Sequence, residues 1–326
     1  MVICLISLGF TRLPLDIPNN NRRGEDLSCY RSIADGIRSG EAYYQATFSE
    51  LRTRGYPTTS IFNWRTPLLG WAFGHLPDLR IAQMIAIFLS LFSICIWINI
   101  TNTELSFAKA TIGSFLFLGA PIYSFLPDIY LAHEFWAGIL ISISILTYVK
   151  GWRWIAFVAG ILALIIRELA LPFILLMLML SLNERKYKEA SIWVLGIVLF
   201  IFMMVIHTSY IKDYVRPDNA YAFTQWITLG GWKFVLETSS MHPYLFLAPS
   251  WFTAVFVPFT LLGLLGWKGP LGSRIGLTVG IYVLIFLFIG QNFNRYWGVL
   301  YVNLLPLGIL YMPEVVGELF KKLSLF

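Results

Sequence analysis

Long apolar runs, and not the alternating or 3.6-residue patterns of a soluble fold, dominate this chain after residue 78. The runs cover residues 79–100, 111–127, 137–149, 154–166, 169–182, 191–211, 244–266, 275–290 and 297–312. A helix needs about 20 apolar residues to span a membrane, so the shorter runs predict tilted or re-entrant segments. With a further apolar run at residues 1–10, the pattern predicts an all-α, polytopic transmembrane helix bundle of about 10 spans.

The first run is half the length of a span, because Thr11, Arg12 and Pro14 interrupt it. It also lacks the basic start of a signal peptide. We expect an incomplete first span whose true start lies upstream. A short interfacial segment is the alternative.

Residues 11–78 contain no span-length run, but they predict two amphipathic surface helices. Leu27, Tyr30, Ala34 and Ile37 recur at helical spacing before Gly40. A second helix is predicted from Glu41 to Arg54, with Gly55 as its stop. We expect both helices to lie on the membrane surface with their apolar sides down.

The charges of the loops predict which side of the membrane each loop faces. Every second loop is rich in Lys and Arg, as cytoplasmic loops are. These residues are Lys109, Lys150, Arg153, Arg185, Lys186, Lys188, Lys268, Arg274, Lys321 and Lys322. The chain is therefore predicted to be one integral membrane domain, 1–326, with an external loop at 11–78, a bundle at 79–312 and a cytoplasmic tail at 313–326.

Composition agrees with this class. Hydrophobic residues make up 57% of the chain and charged residues 13%, and the mean hydropathy is +0.69. Soluble domains carry roughly 25% charged residues. The net charge of +6 lies in loops, so it indicates membrane topology and no nucleic-acid partner. Three cysteines are too few and too scattered to predict a disulfide framework.

Ionisable residues at the predicted outer face are the candidates for function, because such groups are costly near a membrane. Glu25 and Asp26 open the first surface helix, where a carboxylate is either an N-cap or a general base. Asp128, His133 and Glu134 share one short loop. They are either a hydrated helix cap or a group that orients a phosphate, an acceptor or a divalent cation.

Two arginines complete the predicted site. Arg167 and Glu168 interrupt an apolar stretch, where an unpaired guanidinium costs at least about 2.5 kcal/mol. They form either a hairpin tip or a bidentate phosphate site. Arg295 lies in Gln-Asn-Phe-Asn-Arg-Tyr-Trp, which suits either a sugar phosphate or an interfacial anchor.

Several common motifs are absent from the sequence. It contains no Walker motif, no Gly-x-Ser-x-Gly, no His-Glu-x-x-His and no His-x-x-x-His or Cys-x-x-Cys metal spacing. No predicted inner loop is long enough for a nucleotide-binding domain. ATP-driven transport by this chain alone and the use of a cytosolic nucleotide-sugar donor are therefore not expected.

Five segments resemble the GT-C class of membrane glycosyltransferases, and in particular bacterial enzymes that build cell-surface glycopolymers. They are EDLSCYRSIADGIRSGEAYY, RGYPTTSIFNWRTP, HEFWAG, RELALP and NRYWG. The chain departs from that class in lacking an Asp-x-Asp motif. The resemblance implies a multi-pass protein of a bacterial plasma membrane whose active face lies outside the cytoplasm. It implies a polyprenyl-phosphate sugar as donor and a glycan or lipid as acceptor.

The resemblance and the charged residues together predict an inverting transfer. Asp26, with Glu25 beside it, would act as the base. Arg167, Arg295 and His133 would bind the donor phosphate. Asp128, Glu134 and Glu168 would orient the acceptor or a cation. Two other functions stay open: a transporter or flippase of lipid-linked sugars, and a non-catalytic membrane subunit of a polysaccharide assembly system.

Overall fold

The computed structural model of the protein describes residues 1–13, 21–215 and 228–324, without the side chains of residues 21–25, 292 and 323. All regular structure in these ranges is helical. The α-helices are α1 (Val2–Phe10), α2 (Asn21–Arg38), α3 (Tyr43–Thr53), α4 (Pro67–His75), α5 (Leu79–Glu104), α6 (Phe107–Leu118), α7 (His133–Val149), α8 (Arg153–Ile166), α9 (Leu171–Asn183), α10 (Tyr187–Ile211), α11 (Gly231–Ser239), α12 (Pro243–Leu247), α13 (Ser250–Gly266), α14 (Gly269–Phe288) and α15 (Met312–Leu323). Tighter 3-10 segments cover Ile61–Asn63, Pro121–Phe125, Ile129–Leu131, Glu168–Ala170, Asn292–Leu300 and Leu305–Tyr311.

Helix α7 is the centre of the bundle, and every residue from His133 to Tyr148 is buried. It packs against α5, α8, α14 and the segment Asn292–Leu300. Gly138 permits the closest of these approaches, because a Cβ there would lie 2.2 Å from the carbonyl oxygen of Val299. The segment and the first turn of α7 are thereby held together, which brings residues near 134 and near 296 into one region.

Three helices are long and apolar enough to cross a membrane in the part of the chain that the structure describes: α5, α10 and α14. A bent pair, Phe293–Leu300 with Leu305–Lys322, makes a fourth if it is one span. Only 28% of the apolar window of α10 is buried, so most of this surface faces outward, as expected beside lipid. The prediction of an all-α protein is confirmed, whereas a bundle of about 10 spans is not.

The shortfall in spans has a local cause. The apolar runs that predicted the other spans form helices of 17 residues or fewer, such as α7, α8 and α13. Breaks at Arg167 and between Leu300 and Leu305 divide what the sequence offers as near-continuous apolar stretches. Length alone therefore identifies fewer spans than the hydropathy pattern predicts.

The two helices predicted before residue 78 are present as α2 and α3. Each is followed by a glycine in the left-handed region, Gly40 with φ +101° and Gly55 with φ +70°, where side chains are strained. The apolar face of α2 packs on α4: a Cβ at Gly74 would lie 2.4 Å from Ile37. The prediction that this face lies down on the membrane is wrong, since protein covers it.

Hydrogen bonds at several points attach the α2–α4 region to the bundle. Thr66 Oγ1 donates to the carbonyl oxygen of Ile166 at the end of α8, over 2.9 Å. The Tyr44 hydroxyl lies 3.0 Å from His207 Nδ1 near the end of α10. Between these anchors, Arg65 adopts a positive φ of 49°, which few side chains tolerate. The fold thus sets Arg65 above the first turn of α7.

Candidate functional site

A partly open cavity lies at the first turn of α7. Three distant parts of the chain form its wall. The lining residues are Asp26, Leu27, Tyr30, Tyr123, Ile129, Ala132, Glu134, Phe135, Tyr296 and Val299. The lining is mostly apolar, and it includes two carboxylate residues and three tyrosines. Such a mixture suits a ligand with a polar head and an apolar tail.

Arg167 lies behind the cavity in a buried ion network, with a side chain only 2% exposed. Its Nε lies 2.6 Å from Glu134 Oε1, and its Nη1 donates to Glu168. The Nε–H does not point at Glu134, so that contact is an ion pair without hydrogen-bond geometry. Arg167 therefore has the partners that its cost of burial requires, one local and one 33 positions away in sequence.

Arg65 contacts the cavity wall, and it is not among the site residues that the sequence predicts. Its Nε donates to the Tyr30 hydroxyl over 2.9 Å, and one Nη donates to the Tyr296 hydroxyl over 3.4 Å. The same nitrogen lies 3.9 Å from Glu134 Oε1. Arg65 thus contacts three residues that line the cavity. The Arg-Thr-Pro sequence indicated only a turn, and nothing in it shows where the guanidinium points.

Burial and neighbouring groups set the protonation states of Arg65 and Tyr30. Burial alone would lower the pKa of Arg65, but Tyr30, Tyr296 and Glu134 raise it well above its ordinary value. On Tyr30 burial acts in the opposite direction: it raises the pKa of the hydroxyl well above 10, although Arg65 opposes the shift. Arg65 is therefore charged and Tyr30 is protonated at neutral pH. A charged guanidinium beside neutral hydroxyls favours an anionic ligand.

Asp26 lies in the cavity wall, where its Oδ1 accepts a hydrogen bond from the Tyr56 hydroxyl. Tyr56 follows Gly55, so the turn that ends α3 delivers this donor to α2. The hydrogen bond fixes the orientation of the carboxylate, as a directed proton acceptor requires. The side chain of Glu25 lies outside the described residues.

His133 and Asp128 occupy the neighbourhood of the cavity without lining it. The His133 ring is buried and makes an edge-to-face contact with Tyr30, with centroids 4.9 Å apart. Asp128 has a positive φ of 65° and pairs with Arg31 across the gap between α2 and the loop before α7. Both side chains of that pair are partly exposed.

Arg295 stands apart from the other candidates. It is half-buried in the segment Asn292–Leu300, one residue before Tyr296, and is not among the residues that line the cavity. The structure thus brings Asp26 and Glu134 into one cavity wall. It sets His133, Arg167 and Glu168 behind that wall and Asp128 beside it. The role predicted for each of these residues stays a prediction.

A metal centre was one option for the acidic residues. Within residues 1–13, 21–215 and 228–324, no group of three or more His, Cys, Asp or Glu side chains is arranged to hold a metal ion. The two carboxylates of the cavity wall instead face a tyrosine and two arginines. This arrangement offers one oriented carboxylate and one cation to a ligand.

The chain matches no family model, no curated protein and no solved structure at a significant level.

Proposed function

We propose that the chain is a GT-C-like membrane glycosyltransferase. It moves a sugar from a polyprenyl-phosphate carrier to an acceptor glycan or lipid at the extracytoplasmic face, with inversion. One observation carries the proposal: a single cavity combines an oriented carboxylate, Asp26, with an apolar wall and with the hydroxyls that Arg65 contacts. A sugar joined through phosphate to a long hydrocarbon needs these three features together.

The chemistry follows from the positions of these groups. The acceptor hydroxyl oxygen attacks the anomeric carbon while Asp26 takes its proton. The bond from that carbon to the phosphate oxygen breaks, and polyprenyl phosphate leaves with the bonding electrons. Because attack and departure occur on opposite faces of the sugar, the anomeric configuration inverts. The charge that develops on the leaving phosphate requires a fixed cation close by.

Arg65 supplies that cation in our proposal. Arg167 is already held by the carboxylates of Glu134 and Glu168 and is 2% exposed, so a ligand would have to break two buried ion pairs to reach it. Arg65 has one weaker carboxylate contact, at 3.9 Å, and two tyrosine hydroxyls. Arg167 then acts as a positioning residue that holds Glu134 in the cavity wall.

Between the two carboxylates of the wall, Asp26 is the better base. A neighbouring cation stabilises a carboxylate as the anion and weakens its affinity for a proton. Glu134 lies against Arg167 and near Arg65, and both cations weaken its affinity for a proton, so the proposal assigns the base to Asp26. In the proposal, the acceptor hydroxyl therefore approaches between Asp26 and the sugar.

The test is transfer by purified protein from a synthetic polyprenyl-phosphate sugar, with the product measured by mass spectrometry. Asp26→Asn should lower the rate by at least about 100-fold, the usual contribution of a general base. Asp35→Asn is the matched control, because Asp35 lies on the same helix, exposed and paired with Arg38. Undiminished transfer by Asp26→Asn excludes Asp26 as the base. Movement of the intact lipid-linked sugar across vesicles without transfer supports the flippase alternative instead.

A further inference from the structure

The far end of α7, opposite the cavity, carries a second charged cluster that the proposed reaction does not use. Tyr148 is its hub: the hydroxyl donates to Glu189 Oε2 over 2.5 Å. The guanidinium carbons of Arg153 and Arg274 lie 3.7 and 4.2 Å from the centre of its ring. Arg274 is buried, so it forms part of the packing here and is not a free surface charge.

Ion pairs around Tyr148 join three loops of the chain. Arg153, after the α7–α8 loop, pairs with Glu189 over 3.3 Å. Arg274, after the α13–α14 loop, pairs with Glu184 in the α9–α10 loop over 2.7 Å. The cluster therefore holds these loops in one layer at this end of the bundle.

Four further cations belong to the same layer and are exposed. We call them the rim cations; they are Lys150, Arg185, Lys188 and Lys268. None of the four forms an ion pair within the described part of the chain, because the two glutamates of these loops are taken by Arg153, Lys186 and Arg274. Arg185 has a positive φ of 57°, in the tight turn between α9 and α10. The three loops carry seven cations and two carboxylates, a net charge of +5.

Aromatic side chains stand beside the rim cations. Trp152, Trp154 and Tyr187 are 45%, 73% and 67% exposed. Large exposed aromatic rings at the ends of apolar helices are typical of the boundary between lipid tails and headgroups. Unpaired lysines and arginines at that depth meet phosphate groups, and clusters of them are attracted to anionic leaflets.

Helix α15 reaches the same end of the bundle. Trp267, just before the α13–α14 loop, stacks on Tyr311 at 4.8 Å, directly before α15. The helix ends in Lys321 and Lys322, and Phe320 beside them is 68% exposed. A short helix with an exposed apolar side chain and terminal lysines is suited to a membrane surface. Two separate parts of the chain thus present the same chemistry on one face.

We infer that this face binds the phosphate headgroups of anionic phospholipids through the rim cations, as a docking surface for the leaflet that it meets. The rim cations supply charge complementary to phosphate, and the exposed rings set their depth. The Tyr148 cluster supplies rigidity, since it fixes the loops before lipid arrives. This inference does not depend on sugar transfer, because it uses no residue of the cavity.

The test uses the full chain purified in an uncharged detergent and titrated with phosphatidylglycerol or phosphatidylcholine, with bound lipid counted by native mass spectrometry. Wild-type protein should prefer phosphatidylglycerol. Replacing all four rim cations by glutamine should lower the affinity for phosphatidylglycerol at least about tenfold, since each basic residue near an anionic surface contributes about fivefold. Binding of phosphatidylcholine should stay unchanged.

The matched control removes four other exposed cations, so the net charge falls equally. It carries Arg12→Gln, Arg52→Gln, Arg80→Gln and Lys212→Gln. The control should keep the wild-type preference. Equal losses in both variants, or no loss in the rim variant, would overturn the inference. Soluble glycerol phosphate should not displace the lipid; displacement at millimolar concentration would make free phosphate the ligand and would also overturn it.

Discussion

The two ends of α7 carry similar groups in different surroundings. At its start, Arg167 and Glu134 pair with side chains 2% and 3% exposed, beside a cavity. At its end, Arg153 and Glu189 pair with side chains 35% and 19% exposed, in a layer of loops. Both clusters also contain tyrosines that contact arginines. Burial, and not composition, separates the Arg167–Glu134 pair from the Arg153–Glu189 pair.

This difference in burial has an energetic meaning. An exposed ion pair contributes at most about 1 kcal/mol, because water solvates its members well when they are apart. A buried pair must recover the cost of desolvating both charges and often stabilises no better than an apolar pair would. In the proposal, the buried charges at the cavity serve the site and not stability.

The largest effect is expected from removing one buried cation. Arg167→Met leaves Glu134 and Glu168 without their cation, which should destabilise the protein by about 3–5 kcal/mol. Arg153→Gln, at the other end, should cost less than about 1 kcal/mol. Unfolding in detergent, followed by the fluorescence of the buried tryptophans, compares the two.

A second variant separates charge from packing in that comparison. Arg167→Met combined with Glu134→Gln removes one of the uncompensated carboxylates and should recover part of the loss. If Arg167→Met and Arg153→Gln cost the same, burial does not distinguish the two ends and the comparison fails.

Shape as well as charge should matter at Arg65. Arg65→Lys keeps the charge but loses the planar fork that reaches Tyr30 and Tyr296 together. Transfer should fall about tenfold, mainly through a higher KM for the lipid-linked donor, as expected when a phosphate contact is weakened. Arg54→Lys is the control, since Arg54 has a comparable guanidinium contact with Glu50 in the same region. An unchanged KM in Arg65→Lys argues against Arg65 as the phosphate ligand.

A smaller effect is expected from deleting one hydroxyl at each end. Tyr148→Phe removes the hydrogen bond to Glu189 and should cost about 1 kcal/mol of stability with no change in transfer. Tyr30→Phe removes the acceptor of Arg65 Nε and should lower transfer severalfold at a similar cost in stability. Unfolding and transfer assays on both variants measure the loss of stability and of activity. A loss of transfer in Tyr148→Phe would show that the two ends are coupled.

A high salt concentration should produce the smallest of the differences between the two ends of α7. At 1 M ionic strength the screening length falls to about 3 Å, so exposed pairs weaken more than buried ones. The cost of Arg153→Gln should therefore vanish in 1 M salt, whereas that of Arg167→Met should persist. Unfolding curves at low and high salt measure both. Equal salt sensitivity would contradict the burial difference read from the structure.

The sequence predicted two helices before residue 78, and it indicated that Arg167 needs a partner or water, for clear physical reasons. Apolar spacing and the glycines at 40 and 55 set the bounds of α2 and α3 within a few residues. A guanidinium within apolar sequence must find a partner, and Glu134 and Glu168 are the partners. These features depend on local pattern or on the cost of burying charge, and both can be read from a single sequence.

The position of Arg65 was not predictable, because it depends on long-range geometry. Its contacts join residues 30, 65, 134 and 296, which come together only when α2, the loop before α4, α7 and the segment Asn292–Leu300 pack. The covering of α2 by α4 escaped prediction for the same reason: an amphipathic face does not say whether protein or lipid covers it. The count of about 10 spans is not confirmed, because the runs at 137–149, 154–166 and 169–182 form helices too short to qualify as spans by length.

The most direct test of the account is an experimental structure of the protein with a short polyprenyl phosphate bound. The phosphate should lie in the cavity between Tyr30 and Tyr296, within hydrogen-bond reach of Arg65 and with its hydrocarbon along Leu27 and Ile129. A phosphate bound at Arg167, with the Glu134 and Glu168 pairs broken, or bound outside the cavity altogether, would contradict the account.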